Sequence, residues 1–356
     1  MDLQKLARYK ELLLNRKKTS EPAEGYDSAV RPKGQSEQGG GPEAVIGIDI
    51  GNQSGCAALF KNGNVNQLGP RFSVELQGEP AVRAVKSRID ANLRFSVDGC
   101  NYNPSGIYQM LLERLKKDLG ESLDSQAYKC VLTVPLAYDA NQRRLAKKAA
   151  EKAGFNVLQL INEPTAIAFY YCYNTSKNGR YLVVSAGSAT FGVIAFEFAS
   201  GAVRVICGSG EGNFGADDYD VCLAQSLQSD IAKPARQAPK VVLPEPMRQA
   251  CEQVRLQLER QAEVSSEIVS ISKQQYLQCT KRLNTRLKMH ITDVLTQSKL
   301  DTSSFDAVLI AGGFAQSFLV RAVIDEALPE SLKRVTLPLE SAAYGAAVQA
   351  HLLSKQ

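Results

Sequence analysis

One order of pieces is written twice in this chain. "AVIGIDI", "GNQSG", "CAALF", "KNGN" and "VNQL" run on from Ala44, and "YLVVSA", "GSAT", "FGVIAFEF", "ASGA" and "VRVIC" run on from Tyr181. Each set reads as a buried strand, a turn of small residues, a second strand, a hairpin turn and a third strand. Laid over each other, the sets pair Gly51 with Gly187 and Asp49 with Ser185. A unit repeated in one register implies two related lobes. A hydrophobic content of 44% over 356 residues is enough to give each lobe a core.

Each repeat leads into helical sequence. Residues 104–119 ("PSGIYQMLLERLKKDL") and 139–153 ("DANQRRLAKKAAEKA") are amphipathic, and "YKCVLTVP" between them is a strand. Arg143, Arg144, Lys147 and Lys148 fall at helical neighbours and read as a solvated face. In the second half, Met247, Ala250, Cys251, Val254 and Leu258 mark a helix stripe, "SEIVSI" alternates as a strand, and a basic helix covers about 273–298. "FDAVLIAGGFAQS" is a strand entering a Gly-Gly turn, and "ESAAYGAAVQAHLL" is a helix dense in small residues. The expected division is a basic N-terminal segment with a linker over 1–43, a first lobe over 44–175 and a second over 176–356. The helix at 340–353 is expected to pack back towards the first lobe.

Charge and composition narrow the function. The net charge is +5, but Lys5, Arg8, Lys10, Arg16, Lys17 and Lys18 stand against only Asp2 and Glu11 near the N-terminus, so the body is close to neutral. A nucleic-acid binder spreads positive charge over a folded face, so such contact is expected only through that basic segment. Residues 19–42 are polar and rich in Gly, Pro and Ser, as a disordered linker is. The 8 cysteines include no C-x-x-C pair and only His290 and His351 accompany them, which argues against a zinc site or a histidine-based dyad. No stretch is long and apolar enough to span a bilayer and no signal peptide opens the chain, so the expected location is cytoplasmic.

Six blocks, in order, resemble the ATPase domain of the seventy-kilodalton heat-shock chaperones, within the actin and sugar-kinase superfamily. They are "IGIDIG", "VLTVPLAYDANQRRLAKKAAEKAGFNVLQLINEPTAIAFYY", "GNFGADDYD", "QACEQVRLQLE", "LIAGGFAQS" and "ESAAYGAAVQA", and the match covers roughly 44–353. The resemblance implies an α/β, two-lobed actin-like ATPase fold, a duplicated ribonuclease-H-like domain, with a mixed five-stranded sheet in each lobe. It also implies ATP or ADP with Mg²⁺ in the cleft between them. The residues it would bring to the nucleotide are Gly51, Asn52 and Gln53 in the first loop, Gly187, Ser188 and Thr190 in the second, Glu252 and Arg255 on a helix, and Gly312, Gly313 and Gln316 after a strand. Asp49 would hold the metal through water, and Asp49 and Glu163 are the candidate catalytic groups.

The chain departs from its family where charge matters most. Phosphoryl transfer relies on a metal and a lysine to offset developing negative charge. The family's two second-loop aspartates become Ser185 and Gly192, and its two first-loop threonines become Asn52 and Gln53. Its lysine falls at Val82, with Arg83 or Lys86 as substitutes after a slip. On the nucleoside helix stand Glu252, Arg255, Leu256 and Glu259; Gln316 replaces a stacking arginine, Phe314 and Leu256 offer an apolar surface, and Glu340 stands where an aspartate is usual. Glu163 and Pro164 are retained, which a strand-to-helix turn alone would also favour. The chain ends at Gln356, where the family continues into a linker and a peptide-binding β-domain. The expectation is a non-hydrolysing scaffold or co-chaperone working through protein partners, such as a J-domain protein or a ribosome-associated assembly. A slow ATPase and an actin-like assembly subunit are the alternatives.

Overall fold

The computed structural model describes residues 45–74, 84–120, 128–227, 243–265 and 270–354. The N-terminal segment 1–43, Val82 and Arg83 lie outside them, as does most of "SEIVSI". Strands β1 (Val45–Ile50), β2 (Ser54–Lys61) and β3 (Asn64–Ser73) are followed by a short hairpin of β4 (Phe95–Val97) and β5 (Cys100–Tyr102). Next come α1 (Pro104–Gly120), β6 (Tyr128–Val134), α2 (Ala140–Lys152), β7 (Phe155–Asn162) and α3 (Glu163–Thr175). The second half runs β8 (Gly179–Ala186), β9 (Phe191–Ala199), β10 (Ala202–Glu211), α4 (Ala216–Leu227) and α5 (Glu245–Arg260). A hairpin of β11 (Glu263–Ser265) and β12 (Ser270–Ser272) leads to α6 (Lys273–Cys279) and α7 (Lys281–Ser298). The chain then forms β13 (Ala307–Ala311), α8 (Phe318–Ala327), β14 (Lys333–Thr336) and α9 (Ser341–Ser354).

The repeat is carried by two 5-stranded sheets of identical topology, β3-β2-β1-β6-β7 and β10-β9-β8-β13-β14. In each, the first three strands pair antiparallel and the last two join in parallel. The chain therefore has the two-lobed α/β fold of the actin-like and heat-shock ATPases. Apolar alternation sets the faces. Ile46, Ile48 and Ile50 of β1 pack with Ile107, Leu111 and Ala146 from α1 and α2. Val45 faces the other way, against Ala346 and Ala350 of α9.

Two local signals start the helices α2 and α3. Asp139 caps α2 in a capping box with Gln142, which satisfies two otherwise orphaned N–H groups. Pro164 sits in the first turn of α3, where its missing N–H costs nothing. The helix anticipated over 273–298 is instead broken. At Thr280 the backbone leaves helical geometry, and its hydroxyl donates to the carbonyl of Tyr276 at 2.7 Å, so α6 and α7 are separate pieces. Small residues let α9 lie flat on its neighbours. A Cβ at Gly47 would come within 2.2 Å of the Ala347 nitrogen, and one at Gly345 within 1.6 Å of the Ala166 carbonyl oxygen on α3.

Candidate functional site

Both sheets end their first strand in a one-step reversal. The Gly51 N–H donates to the Ser54 carbonyl at 2.9 Å, and a Cβ on Gly51 would lie 2.8 Å from that oxygen. In the second lobe the Gly187 N–H donates to the Thr190 carbonyl at 2.9 Å, and the Ser188 carbonyl is pinned by the Asp217 N–H at 2.8 Å. These two turns face one cavity of about 270 Å³. Asp49, Asn52 and Gln53 enter it from the first lobe, and Ser185, Ser188 and Thr190 from the second. Glu252, Arg255 and Leu256 of α5 line it, as do Gly312, Gly313 and Phe314 after β13. Gly312 is at φ +88, and a Cβ there would stand 2.5 Å from the Ala186 carbonyl oxygen, so the turn demands glycine.

Arg71 and Arg255 line the cavity, and a third cation, Lys86, lies buried behind its Asp49 and Glu163. Its ammonium lies 2.6 Å from Glu163 Oε1 and 3.3 Å from Asp49 Oδ1, with the side chain 1% exposed. Burial works against the ammonium, but Glu163 and Asp49 outweigh it and hold Lys86 above the usual lysine value. Val82 and Arg83, where the sequence places the family's lysine and one substitute for it, lie outside the described residues; the other substitute, Lys86, stands on a 3-10 turn over Lys86–Arg88 beside the two acids. The Thr133 hydroxyl also donates to Asp49 Oδ1. Burial pushes the Glu163 carboxyl up, against the pull of Lys86 and of a hydrogen bond with Thr190 from the facing loop. With both acids ionised, these three groups sum to one negative charge, so a phosphate ligand needs a cation to accompany it. Among the described residues no cluster of three or more His, Cys, Asp or Glu side chains could hold a metal alone. An ion at Asp49 would take its remaining ligands from phosphate and water, as Mg²⁺ sites commonly do. The cavity leaves room for a ligand against backbone at Gly313, where a would-be Cβ meets nothing within 4 Å.

The nucleoside end is more committed. The Arg255 guanidinium is 3.0 Å from Asp220 in a buried pair and lies over the Phe314 ring at 5.6 Å, so it is anchored in protein. Glu252 pairs with Arg248 at 2.8 Å and accepts from Gln53 Nε2 at 3.3 Å, a bond that crosses the cleft between lobes. Gln316 does not line the cavity; its Nε2 donates to the Leu337 carbonyl at 3.2 Å. Glu259 is also drawn away, since its carboxylate caps α8 by accepting the Phe318 N–H at 3.0 Å. Glu340 pairs with Arg71 at 3.2 Å, and its neighbours Leu339 and Ser341 line the cavity instead.

Three residues escaped the sequence reading. Thr133 carried a signal, as the one polar side chain near the end of an apolar strand. Tyr138, whose hydroxyl donates to the Lys86 carbonyl, and Tyr108, fully buried in the core that packs around Val85 and Ile89, carried none.

A family model described as Hsp70 protein matches residues 69–356. The chain is 26% identical over 357 residues to the chaperone protein DnaK of Thermosipho africanus, covering 88% of this chain and 59% of that protein. It is 27% identical over 358 residues to DnaK of Thermotoga neapolitana, covering 88% and 60%. With chaperone protein dnaK1 of Synechocystis sp. it shares 26% over 376 residues, covering 87% and 54%. The chain spans less than two thirds of the length of these relatives.

Proposed function

The chain belongs to the Hsp70 family, and from that membership we propose that its cleft binds ATP or ADP with Mg²⁺, hydrolyses ATP slowly or not at all, and transmits the bound state to protein partners. The observation that carries this reading is the asymmetry of the cleft. On one side Lys86 is buried between Asp49 and Glu163, while Ser185 across the cavity, and Gly192 on β9 beyond the second loop, bring no acid.

Each residue has a task that follows from its place. Lys86 offsets charge at the phosphates, and its burial between two acids keeps it protonated and aimed. Asp49 accepts from Lys86 and Thr133 on one oxygen, and its carboxylate is the group that would hold Mg²⁺ through water. Glu163 opens α3 and meets Thr190, so a shift of the second loop reaches the helix that packs against both lobes. Bound Mg²⁺ supplies neutralisation of the phosphate oxygens. Ser185 and Gly192 supply no second carboxylate, and the loss of one such electrostatic element costs about 10²–10³ in rate. We place the protein in the cytoplasm as a scaffold or co-chaperone.

Calorimetric titration with MgATP and MgADP, followed by single-turnover hydrolysis, tests the reading. Binding of both with hydrolysis at background is expected. The placement of Lys86 favours a second reading, a slow ATPase: turnover above background that disappears in Lys86→Met would establish it. No heat with either nucleotide would remove both.

A further inference from the structure

We infer that Asn52 is a positioning residue for Lys86, acting on the cleft through that side chain and not as an independent phosphate contact. This rests on the reading above, in which Lys86 serves the phosphate end. The family resemblance brings Asn52 to the nucleotide, but it is 6% exposed and its Oδ1 accepts the Ser87 N–H at 3.2 Å. That N–H belongs to the second residue of the 3-10 turn that carries Lys86, and such leading N–H groups have no partner within their own turn. Ser87 is itself buried, so without Asn52 the group would be left unpaired away from water.

The rest of the turn depends on outside anchors too. The Tyr138 hydroxyl donates to the Lys86 carbonyl, and the Ser87 hydroxyl donates to the Ala84 carbonyl at 2.8 Å. Val85 and Ile89 insert into the first lobe's core. Ala84, immediately before, is held at φ +54, a left-handed conformation unfavourable to a residue with a Cβ. A strained residue persists only where its surroundings over-determine the backbone. Here they do: Asn52 holds the amide that follows Lys86, Tyr138 holds its carbonyl, and Val85 plugs the core before it. The flexible lysine stem is thereby delivered to Glu163 and Asp49 from a fixed root. Asn52 lies in the first loop, between Gly51 and Ser54, so that loop and the turn that carries the cation are tied by one side chain.

Two measurements test this. In the protein without nucleotide, amide exchange at Ser87 is expected to be slow in wild type, at least about tenfold faster in Asn52→Ala, and slow again in Asn52→Asp, which keeps an acceptor oxygen. Fast exchange in wild type, or unchanged protection in Asn52→Ala, overturns the assignment. In the second measurement, MgATP is titrated into wild type, Asn52→Ala, Lys86→Met and the double variant. Asn52→Ala is expected to weaken binding about three- to tenfold alone and to add nothing once Lys86 is gone. Losses that multiply in the double variant would make Asn52 a phosphate contact in its own right and overturn the inference. A wild type that binds no MgATP removes the proposed function, while the exchange measurement still decides the role of Asn52.

Discussion

Lys86 is the residue on which the cleft's electrostatics turn. A buried ammonium between two carboxylates is tolerable because each charge has a partner, and removing one partner leaves the others exposed to the full cost of burial. Lys86→Met is therefore expected to lose about 3–5 kcal/mol of stability near neutral pH. Its pH dependence has a definite sign. Glu163 already titrates above its ordinary value in the folded protein, and without Lys86 its carboxyl rises further. A folded pKa raised above the unfolded one favours the folded state at low pH, and that contribution is lost as pH climbs through the raised value. Urea unfolding of Lys86→Met should thus show greater stability at pH 5 than at pH 8, and adding Glu163→Gln should flatten the difference. A pH-independent Lys86→Met would mean that Glu163 is better solvated than its contacts indicate.

At the scale of elements, two junctions are set by different physics. Helix α9 lies so close to β1 and α3 that Gly47 and Gly345 leave no room for a methyl group against backbone. Gly345→Ala gains helix propensity but must displace the Ala166 carbonyl, and the expected net result is a loss of about 1–3 kcal/mol in thermal or urea unfolding. A neutral outcome would show that α9 can slide on α3. Strand β10 holds α7 by polar contacts instead. The Glu211 carboxylate meets the Arg286 guanidinium and His290 Nε2, the latter at 2.9 Å, and Ser209 Oγ lies 2.8 Å from His290 Nδ1. Burial would push the Glu211 carboxyl up, but its hydrogen bonds with His290 and Arg286 bring it down to about 2. A depressed carboxylate stabilises the fold above its unfolded value and loses that contribution as pH falls from about 4.5 towards 2. On the order of 1–3 kcal/mol is expected to disappear over that window, screened in part because Arg286 is half exposed. Glu211→Gln should make the acid limb of the stability profile shallower, and an unaltered limb would place acid sensitivity elsewhere.

For the molecule as a whole, the bond between Gln53 and Glu252 is the notable join. It links the turn that follows β1 in one lobe to α5 of the other, directly across the cavity. A neutral-to-charged hydrogen bond of this kind is worth about 1 kcal/mol net, equivalent to about fivefold in an opening equilibrium. If a nucleotide enters only after the lobes part, Gln53→Ala should speed MgATP association about fivefold in stopped-flow measurements. An unchanged rate would show that the cleft admits ligand with this bond intact. Arg71 and Glu340 form a second long-range contact, tying β3 to the start of α9 beside the same cavity.

The duplicated lobes, the strand-turn-strand-hairpin-strand succession that opens each and the family were legible in the sequence, because each rests on local signals: apolar alternation, small-residue turns, a capping aspartate at Asp139, a proline at the head of α3. Those signals act over a few residues and survive without knowledge of distant partners. Lys86 could not be singled out from Val82 and Arg83 in the same way, since its role depends on where Asp49 and Glu163 arrive after two sheets have formed. For the same reason Asn52 and Gln53 resembled phosphate donors until folding gave their side chains to Ser87 and Glu252, and Arg255, Glu259 and Gln316 were claimed by Asp220, Phe318 and Leu337. Periodicity along the chain determined the architecture. The competition among polar groups for nearby partners, which exists only once the chain is closed up, decided which partner each of them took.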